Sequence, residues 1–337
     1  RRLHALGTEG AGVLMAEEAI AAPFDVYRFD PTHDAAPRYQ RYELKLPPHT
    51  PILTALLKIR ADLDPSLTLR YSCRSAICGS CAMVVNSKSR LACQTPIGPE
   101  IAEHGRIVID PMRNQPVLRD LVVDQAPFWQ DYERILPHLV PDPRKPMPEG
   151  KANPMTPEQV DRFHETPRCI ACGACYSACP AKEADPTFPG PMALAKLYRF
   201  VVDPRDGATR ERLLRIQPGG LWTCLRCHLC SSSCPKDVRP SERIRDLKEL
   251  AIREQGATEA GSRHAVGFKE NLHDRGLLNE MRLVRQTDGV VGMLRQMPQG
   301  IRLASKKPEL LKKPRKIEGQ DEVRRLYELL EEEEPGA

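Results

Sequence analysis

The chemistry of this chain is concentrated in its twelve cysteines. They fall into three groups of four with none left over: Cys73, Cys78, Cys81 and Cys93; Cys169, Cys172, Cys175 and Cys179; Cys224, Cys227, Cys230 and Cys234. The second and third groups share one spacing, C-x2-C-x2-C-x3-C, each followed by a proline, Pro180 and Pro235. Three thiolates on a tight loop each reach a different iron corner of a cubane, while the fourth, just beyond, points toward a neighbouring cluster. The two runs are therefore expected to interlock. One predicted [4Fe–4S] set is Cys169, Cys172, Cys175 and Cys234, and the third-cluster set is Cys179, Cys224, Cys227 and Cys230. Zinc would leave the third and fourth cysteine of each run superfluous. Disulfides suit neither such close spacing nor a chain whose start, with Glu17 and Glu18, lacks the apolar core of a signal peptide.

The first group reads C-x4-C-x2-C-x11-C, the plant-type [2Fe–2S] spacing with its fourth cysteine drawn in. Gly79, between Cys78 and Cys81, lets the backbone approach the sulfurs and donate N–H hydrogen bonds that tune a reduction potential. His228 lies inside a cluster loop, where it reads as a tuning or protonating neighbour or a solvent- or backbone-bonded side chain rather than a ligand, since four cysteines already complete that set. Three clusters in one chain imply an electron wire. The sequence has no phosphate-binding glycine loop, no G-x-S-x-G and no H-E-x-x-H, so no bond-making site is evident in this chain itself.

The elements that must hold these loops are legible from periodicity. Phe24–Phe29 and Tyr39–Leu46 read as two strands of a hairpin. Thr50-Pro51 reads as an N-cap with proline at the first helical position, opening a helix up to Asp64-Pro65. Short apolar runs at Leu67–Leu69, Ala82–Val85 and Arg106–Ile109 complete a small sheet-plus-helix domain. Seven prolines between Pro137 and Pro157 mark a connector. Thr156-Pro157-Glu158-Gln159 then has the capping-box pattern, and Pro191–Val202, Ala208–Ile216 and Ser241–Glu254 have helical periodicity. The predicted organisation is an N-terminal extension (1–22), a [2Fe–2S] domain (23–125), a proline-rich linker (126–155), a helical domain with two cubane clusters (156–250) and a C-terminal extension for partner contact (251–337). The tail carries basic residues from Lys306 to Lys316 and an acidic end at Glu331–Glu334, runs that are ordinarily solvated faces.

The formal charge of +5 does not mark a nucleic-acid binder. It is spread along the chain without interleaved aromatics, and three clusters of four thiolates, each about −2, would reverse its sign. No apolar run reaches the roughly 18 residues that span a bilayer.

Beyond the cysteines, Cys73-Arg74-Ser75-Ala76-Ile77-Cys78-Gly79-Ser80-Cys81-Ala82-Met83 followed by Leu91-Ala92-Cys93 resembles the iron–sulfur subunit of succinate dehydrogenase and fumarate reductase. The resemblance extends through Phe24–Asp30, Leu67–Arg70, Arg113–Val123, Gly190–Arg199 and Asp203–Asp206. It implies an α+β fold: an N-terminal plant-type ferredoxin (β-grasp) domain, then an all-α bacterial-ferredoxin-like helical domain and a helical C-terminal extension. It also implies electron transfer from an FAD flavoprotein subunit, where succinate and fumarate interconvert, to a quinone near a membrane-anchor subunit. The location implied is peripheral, on the cytoplasmic face of the inner membrane, held by partners. Arg74, beside the first ligand, reads as tuning the [2Fe–2S] centre, touching a flavoprotein partner or simply an exposed side chain, and Trp222 before Cys224 reads as packing ahead of a quinone-path lining. Two positions depart from the common pattern. Cys227 is usually not cysteine in that family, whose third cluster is then [3Fe–4S]; here a full [4Fe–4S] set is present. Ala181, Ala184 and Leu225 stand where the usual quinone contacts of this subunit lie.

The tail adds a second likeness. Arg263–Phe268, Gly276–Glu280 and Pro314–Gly319 resemble the C-terminal part of the small iron–sulfur subunit of heterodisulfide reductase, whose partner bears paired C-C-G motifs. A non-classical succinate:quinone oxidoreductase subunit is the first expectation. A fumarate reductase working in reverse is the alternative, and a stand-alone zinc or ferredoxin-like interaction module is the reading from a different class.

Overall fold

The computed structural model describes residues 18–144, 150, 153–216, 220–306 and 317–333. Residues 1–17 of the predicted N-terminal extension, and the basic stretch beyond Lys306, lie outside the described residues. The chain divides into two compact units, and the division does not follow chain order. The first unit takes residues up to Trp129 and adds Arg168–Ala178 and Ser232–Asp237; the second takes Gln130–Pro167, Cys179–Ser231 and the chain from Val238.

The first unit is built on a sheet of β1 (Ile20–Arg28), β2 (Arg38–Leu46), β3 (Ala82–Val85), β4 (Lys88–Leu91) and β5 (Ile107–Asp110), in the order β2-β1-β5-β3-β4. β1 and β2 form the antiparallel hairpin, with Phe24 opposite Tyr42, while β1 and β5 run parallel. Along β1, alternation buries Ala22, Phe24 and Val26 on the core face, as a half-buried strand requires. Arg28 continues the same alternation, so a guanidinium occupies a core position. It is satisfied there by Asp120 at 3.0 Å, Tyr42 at 2.8 Å, Ser66 at 2.7 Å and Asp64. A short pair, β6 (Val117–Arg119) and β7 (Val122–Val123), carries Asp120 in its turn.

Helices α1 (Ile52–Lys58) and α2 (Ile97–His104) lie in this unit, and α1 runs on into a π-helical turn, Ile59–Leu63. Ile52, Leu53, Leu56 and Ile59 are buried, the face that periodicity gives. The helix start differs from the sequence expectation. Pro51 is the N-cap, with no side-chain cap hydrogen bond, and Thr50 does not cap. The reason is a neighbouring segment: Ile52 N–H donates to the Thr95 carbonyl at 2.8 Å and Ile97 N–H to the Thr50 carbonyl at 3.0 Å. Leu67–Leu69 forms no strand, although Leu67 and Leu69 are buried.

Helix α3 (Ala126–Glu133) crosses the boundary between the units. α4 (Pro157–Asp161) begins as predicted: the Thr156 hydroxyl accepts from Gln159 N–H at 3.3 Å, and the Gln159 side chain accepts from Thr156 N–H at 3.0 Å. The short helices α5 (Ala174–Ser177) and α6 (Pro180–Ala184) follow the second cysteine run, with Gly173 at the α5 N-cap and Cys179 at that of α6.

The core of the second unit forms around α7 (Gly190–Val201), α8 (Thr209–Arg215) and α10 (Pro240–Gln255), with α9 (Leu229–Ser232) following the third cysteine run. α7 offers Leu194 and Leu197, and α10 offers Ile244, Leu247 and Ala251. Arg212 on α8 is fully buried. It forks onto Asp206 at 2.7 Å, donates to the carbonyls of Ile135, Leu136 and His138, and lies 4.6 Å from the Phe200 ring centroid. The tail continues as α11 (Ala260–Arg275), α12 (Glu280–Lys306), broken at Gly289, and α13 (Gln320–Glu333).

Candidate functional site

None of the twelve cysteines is in a disulfide. The loop of the first group is a nest of backbone donors. Arg74, Ala76 and Gly79 take left-handed backbone, and turns of this kind converge N–H groups on an anionic centre. The Cys73 sulfur receives the N–H groups of Ser75, Ile77 and Cys78 at 3.3, 3.4 and 3.3 Å. Ala76 N–H reaches the Cys93 sulfur at 3.3 Å, joining the distant fourth cysteine to the loop. Ser80 hydrogen bonds, with that of Cys73 N–H, bring the Cys78 thiol down to about 6. Burial pushes Cys81 up to about 12. Arg74 is exposed, its guanidinium 5.4 Å over the ring of Tyr71.

Gly79 is buried and meets the second run. A Cβ at this position would stand 2.8 Å from Cys172 Cβ, 2.9 Å from Cys172 Cα and 3.3 Å from the Ile170 carbonyl oxygen, closer than side chains tolerate. Ile170 and Cys172 themselves pack on the core of the sheet. The segment Arg168–Ala178 is seated there by specific bonds. The Ser177 hydroxyl, itself buried, bonds the Ser89 hydroxyl at 2.9 Å and accepts from Arg113 N–H at 3.0 Å. Asn114 donates to the Tyr176 carbonyl at 2.7 Å, and the Tyr176 ring meets Phe128 edge-on at 5.3 Å.

Cys172 lies within electrostatic reach of Cys169 and Cys234, and burial raises its thiol to about 11. Cys175 stands in the first turn of α5. All four belong to the first unit, because Ser232–Asp237 returns to it. Cys179, Cys224, Cys227 and Cys230 belong to the second unit and line one small cavity together with Ala181 and His228. Burial raises the Cys179 thiol and takes Cys230 up to about 12.

The two cubane-type loops share a backbone. Ala171 and Gly173 have positive φ in one, Arg226 and His228 at the matching positions of the other. His228 thus holds a conformation that glycine takes more cheaply. Its Nδ1 pairs with the Ser241 hydroxyl at 3.0 Å, and Ser241 bonds Glu242 at 2.7 Å. Sequence reasoning missed Lys248, a buried cation on α10 that donates to the Cys224 carbonyl at 3.2 Å and lies 5.3 Å over the Trp222 ring. No spacing signal marks it. Trp222 packs against Gly261, where a Cβ would come within 2.4 Å of Trp222 Cβ.

The donor sets fit iron–sulfur clusters: thiols in fours, loops of left-handed backbone, and N–H groups aimed at sulfur rather than at a carbonyl. A bound cluster supplies one-electron redox chemistry. These thiols would hold it, and the N–H groups of Ser75, Ala76, Ile77 and Cys78 would donate to its cysteine sulfurs.

Two family models match the chain: a 2Fe-2S iron-sulfur cluster binding domain over residues 23–130 and a 4Fe-4S dicluster domain over residues 165–238. Together they define an iron–sulfur electron-transfer protein. The chain is 37% identical over 235 residues to the fumarate reductase iron-sulfur subunit of Haemophilus influenzae, covering 66% of this chain and 90% of that one. Its counterpart in Mycobacterium tuberculosis is 39% identical over 228 residues, covering 67% and 91%. The succinate dehydrogenase iron-sulfur subunit of Paracoccus denitrificans is 35% identical over 233 residues, covering 68% and 87%. Among solved structures, a chain of the Mycobacterium smegmatis Sdh1 complex in the apo form superposes with a TM-score of 0.63 at 25% identity, covering 70% of this chain and 98% of that one. The chain belongs to the family of iron–sulfur subunits of fumarate reductase and succinate dehydrogenase. Its function is electron transfer through [2Fe–2S] and [4Fe–4S] clusters.

Proposed function

We propose that this chain is the iron–sulfur subunit of a non-classical succinate:quinone oxidoreductase with a third cluster of the [4Fe–4S] kind. The observation that carries this is the cavity lined by Cys179, Cys224, Cys227 and Cys230, which offers four thiols where a [3Fe–4S] cluster needs three. The [2Fe–2S] cluster takes Cys73, Cys78, Cys81 and Cys93 in a plant-type, β-grasp domain; the second takes Cys169, Cys172, Cys175 and Cys234. The exposed Ile77 and Cys78 support a flavoprotein contact at the first loop. Exposed Leu225 and Leu229 beside the third loop, and Val291 and Ile301 on α12, support an anchor contact at the other end of the relay. With Ala181, Ala184 and Leu225 at the usual quinone positions, a C-C-G-type anchor subunit is the partner the sequence favours. A peripheral subunit held by partners at the cytoplasmic face is the location proposed; among the described residues no helix is long and apolar enough to cross a membrane.

Low-temperature EPR with iron analysis on anaerobically purified protein tests this. The expected outcome is about ten irons, no [3Fe–4S] signal in the oxidised state and three reducible centres. Cys227→Ser should convert only the third cluster to [3Fe–4S]. A full [3Fe–4S] signal in unmodified protein, without air exposure, would overturn the assignment. Fumarate reduction is the second reading, supported by the names of the Haemophilus influenzae and Mycobacterium tuberculosis relatives. Cluster potentials measured against the quinone decide the direction.

A further inference from the structure

We infer that Gly79 is a spacing residue that sets electronic coupling between the first two clusters. The inference rests on the ligand sets proposed above. Gly79 follows Cys78 directly in the chain and touches the backbone of Cys172, so the two ligands are bridged by one peptide unit and one van der Waals contact. Any Cβ at Gly79 would lie 2.8 and 2.9 Å from Cys172 Cβ and Cα, and these atoms have no flexible end to swing aside. Only hydrogen allows the two loops to approach so closely.

The contact is held from both sides. On the first loop, Gly79 is fixed by its carbonyl, which accepts Ala82 N–H at 3.1 Å where β3 begins. On the second, Ile170 and Cys172 pack on the sheet core, and Ser177 pins α5 to Ser89 on β4 and to the Arg113 backbone. The transfer moves a single electron from the reduced [2Fe–2S] centre to the oxidised [4Fe–4S] centre, with no bond or proton exchanged. Its rate falls exponentially with the separation of the two centres, so the close approach of the loops at Gly79 bears on it directly. The sequence places Gly79 among the N–H donors to the sulfurs, whereas the N–H groups that reach the Cys73 and Cys93 sulfurs are those of Ser75, Ala76, Ile77 and Cys78.

The test is spin relaxation. In unmodified protein, the reduced [2Fe–2S] EPR signal should relax faster once the [4Fe–4S] cluster is also reduced. Gly79→Ala that retains its iron should lose much of that enhancement and slow electron passage between the two centres in rapid-freeze experiments, and the midpoint potential of each cluster, measured alongside, separates a change in driving force from a change in coupling. Gly105→Ala is the control: it shares the positive φ, at 70°, but has open space around its Cβ, and should leave the enhancement intact. Ser177→Ala loosens the opposite loop without adding volume and should give a smaller loss in the same direction, which keeps the test decisive if Gly79→Ala fails to load iron. Unchanged relaxation in iron-replete Gly79→Ala, or in Ser177→Ala where Gly79→Ala does not load, overturns the inference. So does an absence of enhancement in unmodified protein. A Cys172→Ser variant that retained an unaltered [4Fe–4S] spectrum would instead refute the ligand set, a failure that can be told apart from the spacing result.

Discussion

At the scale of single residues, the first unit depends on an ion cluster that the sequence hides. Arg28 and Asp120 are 92 positions apart, and both are buried. Burial acts first on the Asp64 carboxyl and raises it, but hydrogen bonds from Ser66, Tyr42 and Arg28 together carry it well below the usual carboxylate range. Removing one member of such a set strands the others away from water. Arg28→Ala should therefore cost about 3–5 kcal/mol, seen as loss of the [2Fe–2S] visible circular dichroism at lower denaturant. Arg28→Ala with Asp120→Ala should cost less than the two single changes added together, since the partners are in contact. The cysteines were legible because cluster bonds fix residue type and spacing within a short stretch. Arg28, Ser177 and Lys248 were not, because each meets its partner through the fold, and an arginine in β1 reads from sequence as an exposed side chain.

Among the elements, what periodicity expresses survived. β2, α7, α8 and α10 formed close to their expected limits, β1 began four residues earlier than expected, at Ile20 within the predicted N-terminal extension, and the Thr156 capping box closed as its residue types required. Thr156→Ala should cost about 1 kcal/mol of stability in the second unit, read by thermal unfolding. What failed at this scale were signals with a competitor. Thr50-Pro51 has cap chemistry, but Thr95 and Ile97, at the start of α2, already meet the backbone groups at the α1 start. β4 escaped notice because Lys88–Leu91 is short and its polar members mask the alternation, although Ser89 is the residue that meets α5. α5 itself is four residues long, too short for any period.

For the whole molecule, the carboxylates set how stability depends on acidity. Burial acts first on Asp203 and raises its carboxyl, but hydrogen bonds and charge from Arg205, with Arg199, outweigh it and leave the carboxyl lowered. A carboxyl lowered on folding contributes stability above its unfolded value, about 3.9, and loses that contribution as pH falls through the folded value. Asp203→Asn should thus be less stable than the unmodified chain at neutral pH, and the gap in denaturant midpoint should narrow below about pH 4. A gap independent of pH would assign the effect to packing.

The division of the chain into units also bears on synthesis. The first unit is not complete at Trp129; it waits for Arg168–Ala178 and then for Ser232–Asp237. A ribosome releases its sheet early and the last piece of that unit much later, after the whole segment Cys179–Ser231 has emerged. Neither unit can therefore close as an independent N-terminal intermediate. Nascent chains stopped before Ser232 lack part of the first unit, and those stopped before Val238 lack the helix that packs on α7. Maturation is thereby tied to translation well past the last cysteine, and the partly made chain presents its thiols to the cell before it has any finished place to keep them.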